Sequence, residues 1–507
     1  MPAERSRLFT ALIMEEEKKV IVRLKKEPLE SERREIRSRR RRRFLIFLLC
    51  ALLFIGGFVL GTGASYFRSG SDYLPHSSDK FDTIKEYLTR VWLYNNDYEN
   101  LEEVIEDKAY YGMTYFEEDP YTTYMSKEEL DSFASGINMD YVGIGVQYYL
   151  LNNTATITRV FKESPAENAG IKAGDILKEV DGISLDGADT ETIRRLVLGE
   201  KGTTVDIAVD RNGEEMIFTV VRGEVYSTVY AGLQDGYLIL SIMSFGDNTA
   251  NEIIRYLDDY RDYDRLIIDL RDNSGGYQTA VQEVAGLFLG KGKVVMNQTY
   301  NNGSSEAAVT ISNDYFGNFR KVVILVNNGT ASAAEVLAIC LSELHENCIL
   351  VGETTYGKGV VQSSYRLSDG SALKVTTSAW SSPNGRSING EGITPDYEVK
   401  LDEIFYTLAV DMDEDDEYTL DSVSEYNRLT QLALKYLGYE PKRTDGYFDE
   451  SFRDTLNVFK KDNGLKTDGI LDHETYKTVF DRVSYVYAMD YHKDPQLNKA
   501  KELIDQN

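Results

Sequence analysis

The chain has 507 residues and a net charge of −27, enough length for three or four domains with sizeable cores. Its first 43 residues hold fifteen Lys/Arg against eight Asp/Glu, a net +7, so the remaining body carries −34. A body this acidic excludes nucleic acid as a partner, because phosphate binding needs a basic surface. Its 35 Tyr, 20 Phe and recurring β-branched runs exclude a disordered acidic tail.

Residues 1–43 are charged and close with Arg37 and the run Arg39, Arg40, Arg41, Arg42 and Arg43. Residues 44–64 follow without a single charge, long enough to cross a ~30 Å hydrocarbon core as one helix. Arginines on the N-terminal side predict a cytoplasmic N-terminus and an extracytoplasmic body at the cell membrane. The long basic leader and the weak small-residue site at Thr62-Gly63-Ala64 favour an uncleaved single-pass anchor over a signal peptide.

Residues 65–80 form a polar juxtamembrane spacer. Apolar residues at Ile84, Leu88, Val91 and Trp92, then Leu101, Val104 and Ile105, have helical periodicity and predict stripes packed into an ordinary core within segment 81–135. Asp119-Pro120-Tyr121 breaks the pattern, and residues 127–133 resume it as a short helix.

Short strands dominate residues 136–225. The order is Asp140-Tyr141-Val142-Gly143-Ile144-Gly145-Val146, Ala155 to Val160 in alternation, Ser164-Pro165-Ala166, Ala169-Gly170, Ala173-Gly174-Asp175 and Val180-Asp181-Gly182. A helix over 190–198 and strands over 204–209 and 216–221 complete it. This series resembles a PDZ domain (mixed α+β) of the bacterial, permuted type. The resemblance places the peptide-carboxylate loop at Val142, Gly143, Ile144, Gly145 and Val146. Successive free N–H groups suit that task, holding a peptide's terminal carboxylate while the peptide adds a strand.

Residues 226–400 read as β–α units. Strands Tyr237–Ile242 and 266–270 are separated by a helix over 250–260. The second runs into Asp269-Leu270-Arg271-Asp272-Asn273-Ser274-Gly275-Gly276, and helix Gln278–Leu289 follows. The β-branched run Val322-Val323-Ile324-Leu325-Val326 is a buried strand. It leads into Asn327-Asn328-Gly329-Thr330-Ala331-Ser332 and then helix Ala333–Leu344. A serine at such a helix N-terminus meets free N–H groups and the positive end of the dipole, which stabilise an oxyanion. Soon after, Lys358 stands between Gly357 and Gly359, and Gln362 follows in the same stretch. A serine in one turn and a lysine in the next suggest a Ser–Lys hydrolase on a mixed α/β core. A lysine at its reference pKa near ~10.4 is no base at neutral pH, but burial without a carboxylate lowers that value. Gln362 accepts a lysine proton without adding charge. The four histidines, His76, His345, His473 and His492, are poorly placed for a triad with Ser332, and His345 reads as an exposed helix residue. If one helix ran unbroken through Cys340 and Cys348 they would sit about 12 Å apart, too far for a disulfide; with Cys348 past the helix end a bridge stays open but not favoured, and no metal-ligand spacing of Cys and His occurs.

These motifs, with Gly112-Met113, Gly352 to Gln362 and Ser387 to Asp396, resemble the carboxyl-terminal processing peptidases, also called tail-specific serine proteases. The resemblance covers roughly residues 81–400. It implies Ser332 as nucleophile, Lys358 as general base and Gln362 as the residue that orients the lysine. It also implies an oxyanion hole from the N–H of Ala333 and of Gly275 or Gly276. Substrates would be proteins held by their C-terminal tails, with no metal or cofactor, and a homo-oligomer is left open. The chain departs from the family at Ser274, where Pro is usual, and at Leu198-Gly199, where Arg-Gly is common. A silent PDZ adaptor and a crotonase-like acyl-CoA enzyme are the competing readings. The first is opposed by the presence of Ser332, Lys358 and Gln362, the second by the PDZ domain and the export topology.

Residues 401–422 are an acidic linker. In 423–485, Thr444-Asp445-Gly446-Tyr447-Phe448-Asp449 recurs as Thr467-Asp468-Gly469-Ile470-Leu471-Asp472 among three helical stretches. This resembles a three-helix peptidoglycan-binding-like domain, which implies peptidoglycan as a further partner. Residues 486–507 are expected as a C-terminal tail.

Overall fold

The structure is a computed structural model that describes residues 79–151, 154–407 and 410–506. The basic segment, the stretch 44–64 expected to cross the membrane and all but the last two residues of the spacer lie outside them. Among the described residues no helix is long and apolar enough to cross a membrane.

The first unit ends at Glu106. Its helix Lys80–Arg90 is N-capped by Asp79, whose carboxylate accepts from the Phe81 N–H at 2.7 Å. Lys85 pairs with Glu102 and Glu106 at 3.1 and 2.6 Å. The apolar stripe expected in a core is covered in part among the described residues: Ile84 and Val91 are exposed, Leu88, Trp92, Leu101 and Val104 are half-buried, and Ile105 is buried. Periodicity marks a face, and it does not supply the face with a partner.

The second unit is built on a six-stranded sheet. Its strands lie in the order Val229–Gln234, Tyr237–Ile242, Arg265–Asp269, Lys321–Val326, Cys348–Gly352 and Tyr397–Glu398. The first pair is antiparallel and the rest are parallel. Alternate residues serve opposite faces. Leu266, Ile268, Val322 and Ile324 meet helices Thr249–Leu257, Gln278–Leu289 and Ala333–Leu344 in one core. Ile267, Val323 and Leu325 meet Leu497, Ala500, Leu503 and Ile504 in another. The second set of partners belongs to helix Pro495–Asp505, so the expected tail is a layer of the catalytic core. Both faces being covered explains the unbroken apolar run 322–326.

A second, antiparallel sheet carries strand Ala372–Ser381 at its centre, flanked by Thr123–Met125, Val294–Tyr300 and Val360–Arg366. The helix expected over 127–133 extends over Lys127–Asn138, started by Ser126 and Glu129 in a reciprocal cap.

The PDZ region forms its own sheet, in the order Val146–Leu151, Thr154–Val160, Ile176–Val180, Thr204–Arg211 and Glu214–Val221, around a core that includes Ile144, Ile157, Ile193 and Ile207. In the C-terminal module, helices Glu425–Leu437, Glu450–Asp462 and His473–Met489 enclose Phe448, Phe452, Phe459 and Leu471. The half-repeat is two copies of one helix start. Gly446 and Gly469 take left-handed φ of 86° and 71°. Phe448 and Leu471 plug the core, and Asp449 and Asp472 accept from Phe452 N and Thr475 N at 2.8 Å. The stretch 401–422 is more than a solvated linker, because Ile404 and Met412 are buried in this module's core and Glu417–Tyr418 pairs with Leu471–Asp472.

Candidate active site

Two strand ends are stitched together to make the site. Asn327 Nδ2 donates to Asp272 Oδ1 at 2.9 Å, and the Asp272 N–H returns to Asn327 Oδ1 at 2.9 Å. Thr330 Oγ1 donates to the Leu270 carbonyl at 2.8 Å, and Ala331 N donates to the Asn273 carbonyl at 2.9 Å. At the end of this braced turn Ser332 has φ 56° and ψ −119°. A non-glycine residue there costs on the order of 1–3 kcal/mol and persists only where its surroundings hold it. Helix Ala333–Leu344 starts at the next residue.

Lys358 arrives from the opposite side. Gly357 (φ 87°) and Gly359 are needed because loop 388–392 passes against them: a Cβ on Gly357 would lie 2.8 Å from Gly392 N, and one on Gly359 2.4 Å from Asn389 Cβ. One buried carboxylate ties the serine turn to the lysine turn. Glu335, fully buried, accepts from Ser332 N and Lys358 N at 2.9 Å through Oε2, and from Gly357 N at 2.7 Å and Thr355 Oγ1 at 2.5 Å through Oε1. All four donors are spent on fixing the two backbones, a strong arrangement for a buried charge. A Glu three residues after Ser at a helix start is a capping signal readable in the sequence, but its tie to the lysine turn is made only in the fold.

The side chains of Ser332, Lys358 and Gln362 open on one cavity of about 410 Å³. Lys358 Nζ lies 4.6 Å from the ring centroid of Tyr121, whose hydroxyl reaches Tyr356 at 3.4 Å. Asp119 sets that ring, accepting from the N–H groups of Tyr121 and Thr122 and from Thr376 Oγ1 at 2.9 Å. Among the described residues no carboxylate pairs with Lys358 Nζ. Its pKa is held below that of an ordinary lysine, first by burial and then by the charge of Lys374, with Glu335 opposing. No hydrogen bond joins Ser332 and Lys358 in this conformation. Gln362 gives its amide to Thr376 Oγ1 at 3.2 Å, not to Lys358. No histidine lines the cavity. His345 is partly buried at the end of the serine helix, with its ring bonded to the Phe319 carbonyl, not exposed along it. Cys340 and Cys348 are free, and Cys348 begins a strand.

Gly275 and Gly276 separate in role. A Cβ on Gly275 would meet Ser332 Cβ at 2.8 Å, and one on Gly276 would meet the Phe245 carbonyl at 2.3 Å, so both approaches require glycine. The Gly275 N–H is occupied by Asn273 Oδ1 at 2.8 Å, whereas the Gly276 N–H has no acceptor among the described residues. Ala333, the first residue of its helix, has no intrahelical acceptor for its N–H. Behind this loop, Arg271 holds Asp269 at 2.8 Å and, from the C-terminal helix, Asp494 at 2.7 Å.

In the PDZ region, Val142 and Gly143 end strand Asp140–Gly143, and Val146 opens the edge strand Val146–Leu151. Between them the Ile144 and Gly145 carbonyls accept from Ala166 N and Phe161 N at 2.7 and 3.0 Å, while the N–H groups of Ile144 and Gly145 meet no acceptor among the described residues. Tyr148 crosses from the edge strand to the start of helix Thr190–Val197, donating to the Thr190 carbonyl at 3.0 Å. On the back of the same strand Tyr149 packs on Tyr485 of the C-terminal module, with ring centroids 5.7 Å apart.

A stitched Ser–Lys site on an α/β core, with a PDZ module before it, defines a serine-type peptidase. The sequence profile of Peptidase family S41 matches residues 236–399, that of the PDZ domain residues 142–221, and that of a peptidoglycan binding domain residues 428–479. The carboxy-terminal processing protease CtpA of Bacillus subtilis (strain 168) is 32% identical over 478 residues, covering 92% of this chain and 99% of that one. CtpB of the same strain is 30% identical over 436 residues, covering 83% and 88%. A "Probable CtpA-like serine protease" of Staphylococcus haemolyticus (strain JCSC1435) is 30% identical over 442 residues, covering 85% and 87%. The chain belongs to the S41 peptidases, among the carboxyl-terminal processing proteases, and carries PDZ and peptidoglycan-binding domains.

Proposed function

We propose that this is a membrane-anchored extracytoplasmic endopeptidase that takes protein C-terminal tails on its PDZ domain and cuts them with a Ser332–Lys358 dyad. The observation that carries the reading is the cavity into which Ser332 and a carboxylate-free, partly buried Lys358 both open. Ser332 Oγ attacks the scissile carbonyl carbon while neutral Lys358 takes the hydroxyl proton. The N–H groups of Gly276 and Ala333 receive the oxyanion. As the C–N bond breaks, Lys358 returns the proton to the leaving amine. Water, deprotonated in turn by Lys358, hydrolyses the acyl-serine ester. Gln362, anchored through Thr376, presents its amide oxygen to the lysine when the side chain moves onto Ser332.

The free N–H groups of Ile144 and Gly145 beside an edge strand support tail capture through the terminal carboxylate. Anchoring rests on residues 44–64 and the arginines before them, and peptidoglycan as a partner rests on the C-terminal module. The test of the chemistry is new chain termini in an unfolded protein substrate. Wild type produces them, and Ser332→Ala and Lys358→Ala both abolish them. Cleavage that survives Ser332→Ala rejects the mechanism, and survival in Lys358→Ala rejects the base.

A further inference from the structure

The catalytic cavity holds a second lysine that this chemistry does not use. Lys374 lies on strand Ala372–Ser381, opposite Ser364 and two residues before Thr376, the residue that anchors Gln362. Lys374 and Ser364 both line the cavity. Its Nζ stands 4.8 Å from the ring centroid of Phe133, another wall residue. Among the described residues, no carboxylate or hydrogen-bond acceptor holds the Lys374 ammonium. The lining includes Lys358 and Lys374 and neither Asp nor Glu, although the chain carries 83 acidic residues. Two lysines without a counter-charge in a partly enclosed space make a local positive field inside an acidic molecule. Lys358 is committed to proton transfer, which leaves Lys374 as the lysine free to meet a substrate group.

The geometry points to Lys374 as a specificity residue that receives a substrate carboxylate beside the scissile bond. This deepens, and rests on, the reading of Ser332 and Lys358 as the reacting pair. Two peptide groups have that chemistry: an acidic side chain near the cleaved bond, or the peptide's own C-terminal carboxylate held a few residues beyond it. A bound carboxylate supplies the charge partner that the apo cavity lacks. Burial holds the Lys374 ammonium less basic than an ordinary lysine, and an arriving carboxylate offsets that cost.

The test uses the full chain and three peptides sharing one scissile sequence. One is neutral and C-terminally amidated, one is amidated with a Glu scanned through the positions flanking the cut, and one is neutral with a free C-terminal acid at varied distance. The readout is the kcat/KM ratio of each charged peptide to the neutral one, for wild type, Lys374→Met, Lys374→Glu and Lys374→Arg. In wild type at least one charged series is preferred by about tenfold at its best position, and the series that responds identifies the source. The ratio falls to about one in Lys374→Met, inverts in Lys374→Glu and returns in Lys374→Arg. Ratios that stay equal across the four proteins overturn the proposal, as does a wild type indifferent to both charges. A Ser332→Ala control keeps the two readings apart: peptide cleavage that persists there fails the dyad, whatever Lys374 does.

Discussion

Two of the lysines that the molecule withdraws from water, Lys460 and Lys358, are treated oppositely. Lys460, in the C-terminal module, is 1% exposed and clothed. Its Nζ donates to Asp468 at 2.7 Å and to the Ile470 carbonyl at 2.6 Å, with Asp472 at 3.6 Å. Lys358 is less deeply buried, yet no carboxylate pairs with its Nζ among the described residues, and it sits against the face of Tyr121 near the like charge of Lys374. Burial by itself does not make a base. On the proposed mechanism, what separates the structural Lys460 from the reactive Lys358 is whether the fold supplies a carboxylate where the ammonium sits. In the active site the available carboxylate, Glu335, is turned onto backbone N–H groups.

The comparison breaks most visibly if Lys358 is kept permanently charged. Lys358→Arg is expected to lower kcat by at least about 10³-fold with the fold retained, because a guanidinium holds its proton throughout the working range. Gln362→Glu makes Lys358 resemble Lys460. A carboxylate within reach raises the lysine pKa, so activity near neutral pH drops by roughly tenfold or more and recovers as the pH is raised. Steady-state rates across pH check both.

Much of this contrast was legible in the sequence. The unbroken apolar run 322–326, the small turn residues after it and the helix propensity of Ala333–Leu344 place Ser332, and the paired glycines mark Lys358. Local patterns could not report that the Tyr121 ring covers a lysine more than 200 residues further along the chain, or that Arg271 is held by Asp494 of the last helix. Those contacts are made by the sheet, which brings distant strand ends together. Stripe 84–92 fell short in the other direction: its periodicity was real, but among the described residues Leu88 and Trp92 are only half-buried and Ile84 and Val91 are exposed. Glu335 lay between, readable as a helix cap but not as the tie to Lys358.

The clothed lysine yields two smaller effects. Lys460→Met removes the buried cation from Asp468, leaving it the exposed Lys466 at 3.3 Å, and is expected to cost about 2–4 kcal/mol of module stability, read from chemical denaturation. Against burial, which pushes it up, the bond from Lys460 and the Ile470 N–H carry Asp468 down to about 2. A carboxyl depressed in the folded state stabilises above its unfolded value near ~3.9 and loses that contribution as pH falls toward about 2. The module's unfolding midpoint should therefore decline across that acidic window, less steeply in Lys460→Met.

The most direct measurement is the rate at which a fluorophosphonate labels Ser332 as a function of pH, in wild type and in Gln362→Glu. The account predicts a rate that rises with pH, with a midpoint below the ordinary lysine value of ~10.4 in wild type and shifted upward in Gln362→Glu. A wild-type rate that is flat, or one whose midpoint stays put when the carboxylate is added, would contradict Lys358 as the base.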